Sequence, residues 1–454
     1  MRKILIASLG AGNKERKYNK TNYIIDGKIY KDEMYVSSAL DQHFDIDKIF
    51  YIGTLGSMWE NIYEYYCKKY GKEINNEYEE ELFYKMAEFL DSSVEEKKKF
   101  SLDFINFEEF LSTFEMKVVP IITYYGLNDK EIFENFNRIL SAANELEDGD
   151  ELYLDITHSF RSNAFWMFLV MNYINDVTDK NITIKYISYG MFEAKEKDKS
   201  GMDLTPVINL KVFFDLTKWI KGAYTFKNYG NSDLICELIE EKEIRNKLNN
   251  LSNALSINYI SSLKESIKSL EENYKIIEKV GGPAKLIIPQ VVAEFLNHFK
   301  NVEEDYEMFL KLAEWHYKEK RYALVYTNIQ EAFISYAKIN GLFNELGVKK
   351  DIEELSKQIF KLEIIKSGEK EKRKLIWKSR YENFFEPKTK GKLKDFFESY
   401  EYCRQVRNNI AHSDKKRNNP DADIKSLEKI LKFLKEIFKE KYFLKDCKEK
   451  INWF

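Results

Sequence analysis

ELYLDITHSFRSNAFW, residues 151–166, changes character in its middle. Glu151–Thr157 is a near-continuous apolar run, the mark of a strand covered on both faces of a parallel sheet. From Ala164 an apolar helix begins, and His158, Ser159, Arg161, Ser162 and Asn163 stand between the two. A buried strand that feeds a helix through a polar turn is the first half of a βαβ unit, and it predicts a doubly wound sheet.

The same pattern recurs on either side. Lys3–Leu9, Lys48–Gly53, Met116–Tyr124 and Ile182–Tyr189 are further strand-like runs. Between them, Glu131–Leu146 places Ile132, Phe133, Phe136, Ile139, Leu140 and Ala143 on one stripe, which predicts a crossover helix with that face inward. The first 212 residues therefore read as a Rossmann-like α/β domain with a mostly parallel sheet.

In such a domain ligands bind in the crevice outside the carboxyl ends of the strands. Three loops fall there. The first holds Gly10, Ala11, Gly12 and Asn13, a glycine turn whose backbone N–H groups suit a phosphate. The second holds Thr54, Ser57 and Met58, and the third Thr157, His158, Ser159, Arg161 and Ser162. Hydroxyls, an imidazole and a guanidinium at a helix N-terminus suit an anion with several phosphates. Glu15 stands where a dinucleotide fingerprint requires its third glycine, so the first loop is not that motif. No third ligand follows Asp155 and His158 at a metal-binding spacing, and Ser159 lacks the glycines of a nucleophile elbow.

From about Thr217 the strand signal disappears and the chain reads as helices joined by lysine-rich loops. Leu234–Val280 and Leu286–Phe299 are separated by Gly281-Gly282-Pro283. Tyr322–Tyr336 carries the stripe Tyr322, Val325, Ile329, Ala332, Phe333 and Tyr336, and Asp395–Ile410 the stripe Phe396, Tyr400, Cys403, Val406 and Ile410. Asp423 is the expected cap of a last helix with Ile424, Leu427, Leu431, Leu434 and Phe438 inward. These predict an all-α bundle over residues 286–454, with residues 213–285 as a helical linker region.

Composition sets outer limits. A chain of 454 residues, 44% hydrophobic, is too long for one core and long enough to fill two or three. Lys+Arg 72 and Asp+Glu 75 leave a net charge of −3, so any anion site is local rather than global. Cys67, Cys236, Cys403 and Cys447 form no C-x-x-C pair, which argues against a zinc cluster or disulfide framework and fits a reducing cytoplasm. No apolar stretch is long enough to span a bilayer.

The second chemical feature is Arg407-Asn408-Asn409-Ile410-Ala411-His412 at the expected end of a helix. Arg404 lies one turn before Arg407. Five residues turn an ideal helix by about 140°, so His412 shares a face with Arg407 only if the helix ends and the imidazole swings back. An imidazole and a guanidinium supply proton transfer and charge stabilisation for cleavage of an RNA phosphodiester. The basic, aromatic-bearing stretch Lys366–Lys394 is a candidate guide for RNA, and Glu331 a candidate to orient the arginine.

Arg407, Asn408 and His412 resemble the R-x4-6-H signature of HEPN domains. Asp155–Arg161 resembles the D-h-T-H-G-h-R loop (h apolar) of one subfamily of CARF domains, with Ser159 in place of the glycine. In this order the two halves resemble the Csx1-type ancillary ribonucleases of type III CRISPR systems. The resemblance implies a homodimer, or a higher even oligomer, whose paired CARF domains bind a cyclic oligoadenylate activator, the four-membered ring cA4, with no other cofactor. It implies a composite, metal-independent HEPN site that cleaves single-stranded RNA to a 2′,3′-cyclic phosphate in antiviral defence. Arg407 would stabilise charge at phosphorus, His412 would act at the 2′-hydroxyl or the leaving oxygen, and Arg404 and Asn408 would complete the site. The alternative is a catalytically inactive, ligand-responsive module that only holds RNA or protein; slow opening of the activator at Thr157, His158 and Arg161 is a further option.

Overall fold

Each of the five apolar runs forms a strand in the computed structural model, which describes all residues except 12–17, 159–160, 280, 283, 343–346, 368–369, 413–418 and 453–454, and all described side chains except those of 161–163, 364–367, 370–373 and 452. In chain order the strands of the first unit, Met1–Thr217, are β1 (Lys3–Ser8), β2 (Thr21–Ile25), β3 (Lys28–Glu33), β4 (Lys48–Thr54), β5 (Val118–Thr123), β6 (Glu151–Asp155), β7 (Thr183–Gly190), β8 (Glu196–Lys197) and β9 (Asp203–Asn209). They form one sheet in the order β3-β2-β9-β7-β6-β1-β4-β5, with β8 beside β9. β7, β6, β1, β4 and β5 run parallel, while β9 is antiparallel to β7 and β3 to β2. The strand order turns back at β1, so the crevice between the β1 and β6 loops is the topological switch point.

Alternation along the strands serves two cores. Leu5, Ala7, Ile49 and Tyr51 enter one, with Trp59, Tyr63 and Tyr66 of the helix Trp59–Tyr70. Ile4, Ile6, Phe50, Ile52, Leu152 and Leu154 enter the other, with Met167, Val170 and Ile174 of the helix Arg161–Val177. Covering both faces explains why these strands read as continuous apolar runs. The crossover helix spans Asp129–Asn144 and buries Ile139, Ala142 and Ala143, but Phe133, expected inward, is 67% exposed. It is the fifth residue of the helix, ahead of its buried residues.

At the free edge, Ile49 N–H donates to the Lys117 carbonyl, and the register pairs Ile49 with Val118. Parallel alternation then turns the backbone groups of Val118, Pro120 and Ile122 away from β4. Pro120, which has no N–H, thus sits where an edge strand tolerates it.

Among its described residues the second unit, Lys218–Phe454, is built of helices apart from one element. One cluster gathers Trp219, Phe226, Leu248, Leu263, Ile288 and Phe295; the other gathers Tyr306, Ile329, Phe333, Tyr336, Phe396, Tyr400 and Leu434. The helix Asp305–Lys318 contributes to both, through Met308 and Trp315 to the first and Tyr306 and Ala313 to the second. The exception is an antiparallel hairpin, β10 (Phe360–Ser367) and β11 (Lys370–Trp377), which occupies much of the stretch read as helical and basic. Phe360 and Trp377, at its base, pack ring to ring at 4.5 Å and anchor it to the second cluster.

The stripes of this unit are largely inward. Val325, Ile329, Ala332, Phe333 and Tyr336 are buried on the helix Tyr322–Ile339, and Phe396, Tyr400, Cys403 and Val406 on the helix Pro387–Ala411. Ile410, expected inward, is 45% exposed because it lies in the last turn, beyond the packed stripe. The helix Pro420–Ile437 is capped by Asn419, whose side chain accepts from Ala422 N–H, and not by Asp423, and a further helix, Phe443–Asn452, follows it. The Asp423 carboxylate instead accepts from the Tyr402 hydroxyl at 2.6 Å.

Gly53, near the end of β4, has no room for a side chain. A Cβ there would lie 2.7 Å from Ser57 Oγ and 2.8 Å from the Trp59 ring, both fixed by hydrogen bonds. Gly53→Ala is expected to lose about 1–3 kcal/mol by overpacking, read as a lower urea midpoint.

Candidate functional site

The ends of β1 and β4 are tied by Ser57. Its hydroxyl donates to the Leu9 carbonyl at 2.8 Å and accepts from Thr54 N–H at 2.9 Å. Met58 N–H donates to the Gly10 carbonyl at 3.1 Å, and the Trp59 indole N–H to the Thr54 carbonyl at 2.8 Å. Ser57 and Met58 are fully buried, so they hold the two loops together and present no free face to a ligand. Thr54 is also buried, and its hydroxyl has no partner among the described residues.

The β6 loop is fixed from below. Buried Asp155 accepts from Thr157 N–H at 3.1 Å, the Thr157 hydroxyl at 2.6 Å and the Ser188 hydroxyl at 3.1 Å. Thr157 Oγ1 in turn accepts from Gly190 N–H at 2.8 Å, so this hydroxyl already donates and accepts once within the protein. Burial pushes the Asp155 carboxyl up to about 6, against the lowering effect of the hydroxyls of Thr157 and Ser188.

His158 and Gly10 meet where these loops converge. A Cβ on Gly10 would lie 2.9 Å from the His158 carbonyl, so only glycine permits this approach. The imidazole sits among aromatic rings, with centroids 4.7 Å from Tyr18, 5.8 Å from Tyr35 and 6.3 Å from Phe192. Its Nε2 is buried with no partner among the described residues, although the residue as a whole is half-buried. Desolvation lowers its pKa to about 4, so the ring is neutral near pH 7.

The structure thus brings Gly10, Thr54, Ser57, Met58, Thr157 and His158 together, with Ala11 half-buried beside Gly10. Gly12, Asn13 and Ser159 lie outside the described residues. Arg161 and Ser162 open the helix Arg161–Val177, and their side chains lie outside the described set. The aromatic walls Tyr18, Tyr35 and Phe192 were not identified from sequence. They come from three separate segments, and no spacing rule links them to His158.

In the second unit, Arg407 and Asn408 are half-buried in the last two turns of the helix Pro387–Ala411, and His412 is its exposed C-cap, with its N–H on the Asn408 carbonyl at 2.9 Å. The expected helix end is therefore where the sequence puts it. Arg404 is engaged within the chain: Glu401 receives its Nε at 2.8 Å and its Nη2 at 2.9 Å, and that carboxylate holds the guanidinium pKa up. Glu331 lies near enough to Tyr400, on the same helix as Arg404, to add to its electrostatic field, and burial pushes that phenol up to about 12.

Among the described residues, no group of three His, Cys, Asp or Glu is placed to hold a metal ion, and no helix is long and apolar enough to cross a membrane.

A doubly wound sheet with a convergent loop crevice at its switch point puts the first unit in the Rossmann-like class. Residues 4–193 match the family model described as CRISPR system endoribonuclease Csx1, CARF domain, and residues 215–306 match CRISPR-associated protein MJ1674, second domain. Over its first unit the chain is similar to the CARF domain of Csx1-type CRISPR-associated proteins. It is 31% identical to CRISPR-associated protein MJ1674 of Methanocaldococcus jannaschii over 95% of its own length, and it spans 66% of that relative, just under two thirds. A solved structure, Enterococcus italicus Csm6 bound to cyclic hexa-2′-fluoro-hexa-dAMP, aligns with 97% of this chain and 94% of that chain at 11% identity and a TM-score of 0.36.

The buried imidazole has a signature in acid. Its folded pKa lies below the unfolded value of about 6.5, so its contribution to stability is complete above that value and is lost as pH falls toward 4. Asp155, with a raised pKa, acts oppositely over nearly the same window, its contribution fading as pH rises through 6. His158→Gln is therefore expected to lose less stability than the parent between pH 6.5 and 4, measured by urea unfolding at both ends of that range.

Proposed function

We propose that the protein is a cyclic oligoadenylate-activated, metal-independent endoribonuclease that cleaves single-stranded RNA in type III CRISPR defence. Residues 1–212 act as the sensing CARF domain, 213–285 as a helical connection and 286–454 as the HEPN ribonuclease domain. The observation that carries the reading is the crevice at the switch point, where the Gly10 backbone, a buried Thr54 hydroxyl and a neutral His158 converge in a domain that matches the Csx1 CARF model. Glycine-loop N–H groups and a helix N-terminus suit phosphates, and aromatic rings suit purine faces. A four-membered ring with two-fold symmetry fits a site shared by two copies of the domain.

In the catalytic step, the RNA 2′-oxygen attacks phosphorus in line and the bond from phosphorus to the 5′-oxygen breaks. The products are a 2′,3′-cyclic phosphate and a 5′-hydroxyl. One proton leaves the 2′-hydroxyl and one joins the departing oxygen; His412 serves one of these transfers, and Arg407 stabilises the charge at phosphorus. Asn408 is placed beside Arg407 to fix the phosphate. Arg404, whose guanidinium is oriented by Glu401, positions the RNA phosphate. Solvent exposure of His412 and half-burial of Arg407 support a site completed by a second copy of the chain, in which each helix end contributes its pair.

Arg407→Ala and His412→Ala are each expected to reduce RNA cleavage, assayed in EDTA with cyclic tetra-adenylate, by at least about 100-fold. Ligand affinity by titration calorimetry should be unchanged. Full cleavage in both variants would remove the assignment, and a mobility shift without cleavage in the parent would favour a binding module.

A further inference from the structure

Gly10 N–H, at the head of the glycine turn, already has a partner: it donates to the Tyr18 hydroxyl at 3.1 Å. The same phenol ring lies edge-to-face on His158 at 4.7 Å and on Tyr35 at 5.0 Å. The hydroxyl is 3.1 Å from where a Gly10 Cβ would stand, alongside the His158 carbonyl at 2.9 Å, so Tyr18 reaches the point where the β1 and β6 loops touch. On the imidazole that this ring contacts, the buried Nε2 has no partner among the described residues.

Chemically, Tyr18 presents an oxygen to a backbone N–H and an aromatic ring to an imidazole. An adenylate presents the same two features, a phosphate oxygen and a purine face. We propose that Tyr18 is an internal competitor for the activator: it occupies the Gly10 N–H and the His158 face in the unliganded protein, and the ligand must displace it to bind. The proposal rests on the reading of this crevice as the cyclic oligoadenylate site.

Occupation has two effects. Without this acceptor the part-buried Gly10 amide would lose its partner, so the phenol stabilises the loop as it stands. It also lowers apparent affinity, because binding waits on the fraction of molecules with the side chain withdrawn. Withdrawal also removes one of the three rings packed on His158, whose unpartnered Nε2 can hydrogen-bond to the adenine edge or a ribose hydroxyl.

The test is titration calorimetry of cyclic tri-, tetra- and hexa-adenylate against the full chain, Tyr18→Phe and Tyr18→Ala, with thermal unfolding of each to confirm folding. Tyr18→Phe removes only the oxygen and is expected to bind about 2- to 10-fold more tightly, the equivalent of one net hydrogen bond. Tyr18→Ala, which also vacates the ring, is expected to bind at least as tightly as Tyr18→Phe. If the parent binds a ring and either variant binds it equally or more weakly, the competitor role is overturned and the site reading stands. If no protein binds any ring, the site reading is overturned and the competitor role with it; binding by the variants alone supports both.

Discussion

The crevice depends on one hydroxyl. Ser57 Oγ joins the Leu9 carbonyl, just past β1, to the Thr54 amide, at the end of β4, and both bonds are made in full burial. Breaking either would leave a buried backbone group unsatisfied, at about 1–3 kcal/mol, so the hydroxyl costs more to lose than its net bonding suggests. With it in place, Met58 N–H reaches Gly10, and Gly10 can rest against the His158 carbonyl. Three loops thus occupy one small volume without a tight turn in any of them having to do the work alone.

Support on the β6 side is polar and equally enclosed. Asp155, Thr157, Ser188 and the Gly190 amide form one chain of hydrogen bonds across the ends of β6 and β7. Nearby, the Tyr51 hydroxyl bonds both Ser37 at 2.5 Å and Tyr66 at 2.8 Å. Enclosed networks of this kind hold geometry because each member loses a partner if one moves. The region nevertheless keeps buried atoms with no partner among the described residues, Thr54 Oγ1, His158 Nε2 and Asp155 Oδ2.

Where burial is two-sided, the sequence was easy to read. β1, β4, β5, β6 and β7 stand out because both faces enter cores, and the Thr157-His158 turn follows directly from the end of β6. β2, β3 and β9 were missed: β3, KIYKDE, is mostly exposed, and β9 carries Pro206 between buried Thr205 and Val207 and ends exposed at Ile208 and Asn209, so neither shows a continuous apolar run. The Asp26-Gly27 pair, with positive φ at both residues, was the available hairpin signal. The β10–β11 hairpin was hidden by its lysines. In the second unit the helix end at Ala411 was legible from its polar residues, whereas the Arg404–Glu401 bond was not weighed, although a carboxylate three residues before an arginine is a helix-surface pair. Tyr18 could not have been found, because its role exists only once β1, β6 and the approach to β2 are assembled.

Pro120 has a consequence for how copies of the chain meet. A strand with free donors and acceptors on its outer side is a template on which another chain can add, and repeated addition has no natural stopping point. The outward set of β5 is interrupted at its centre by a residue with no amide hydrogen. Sheet growth at that margin is thereby disfavoured, and β5 is a poor template on which a second chain could add.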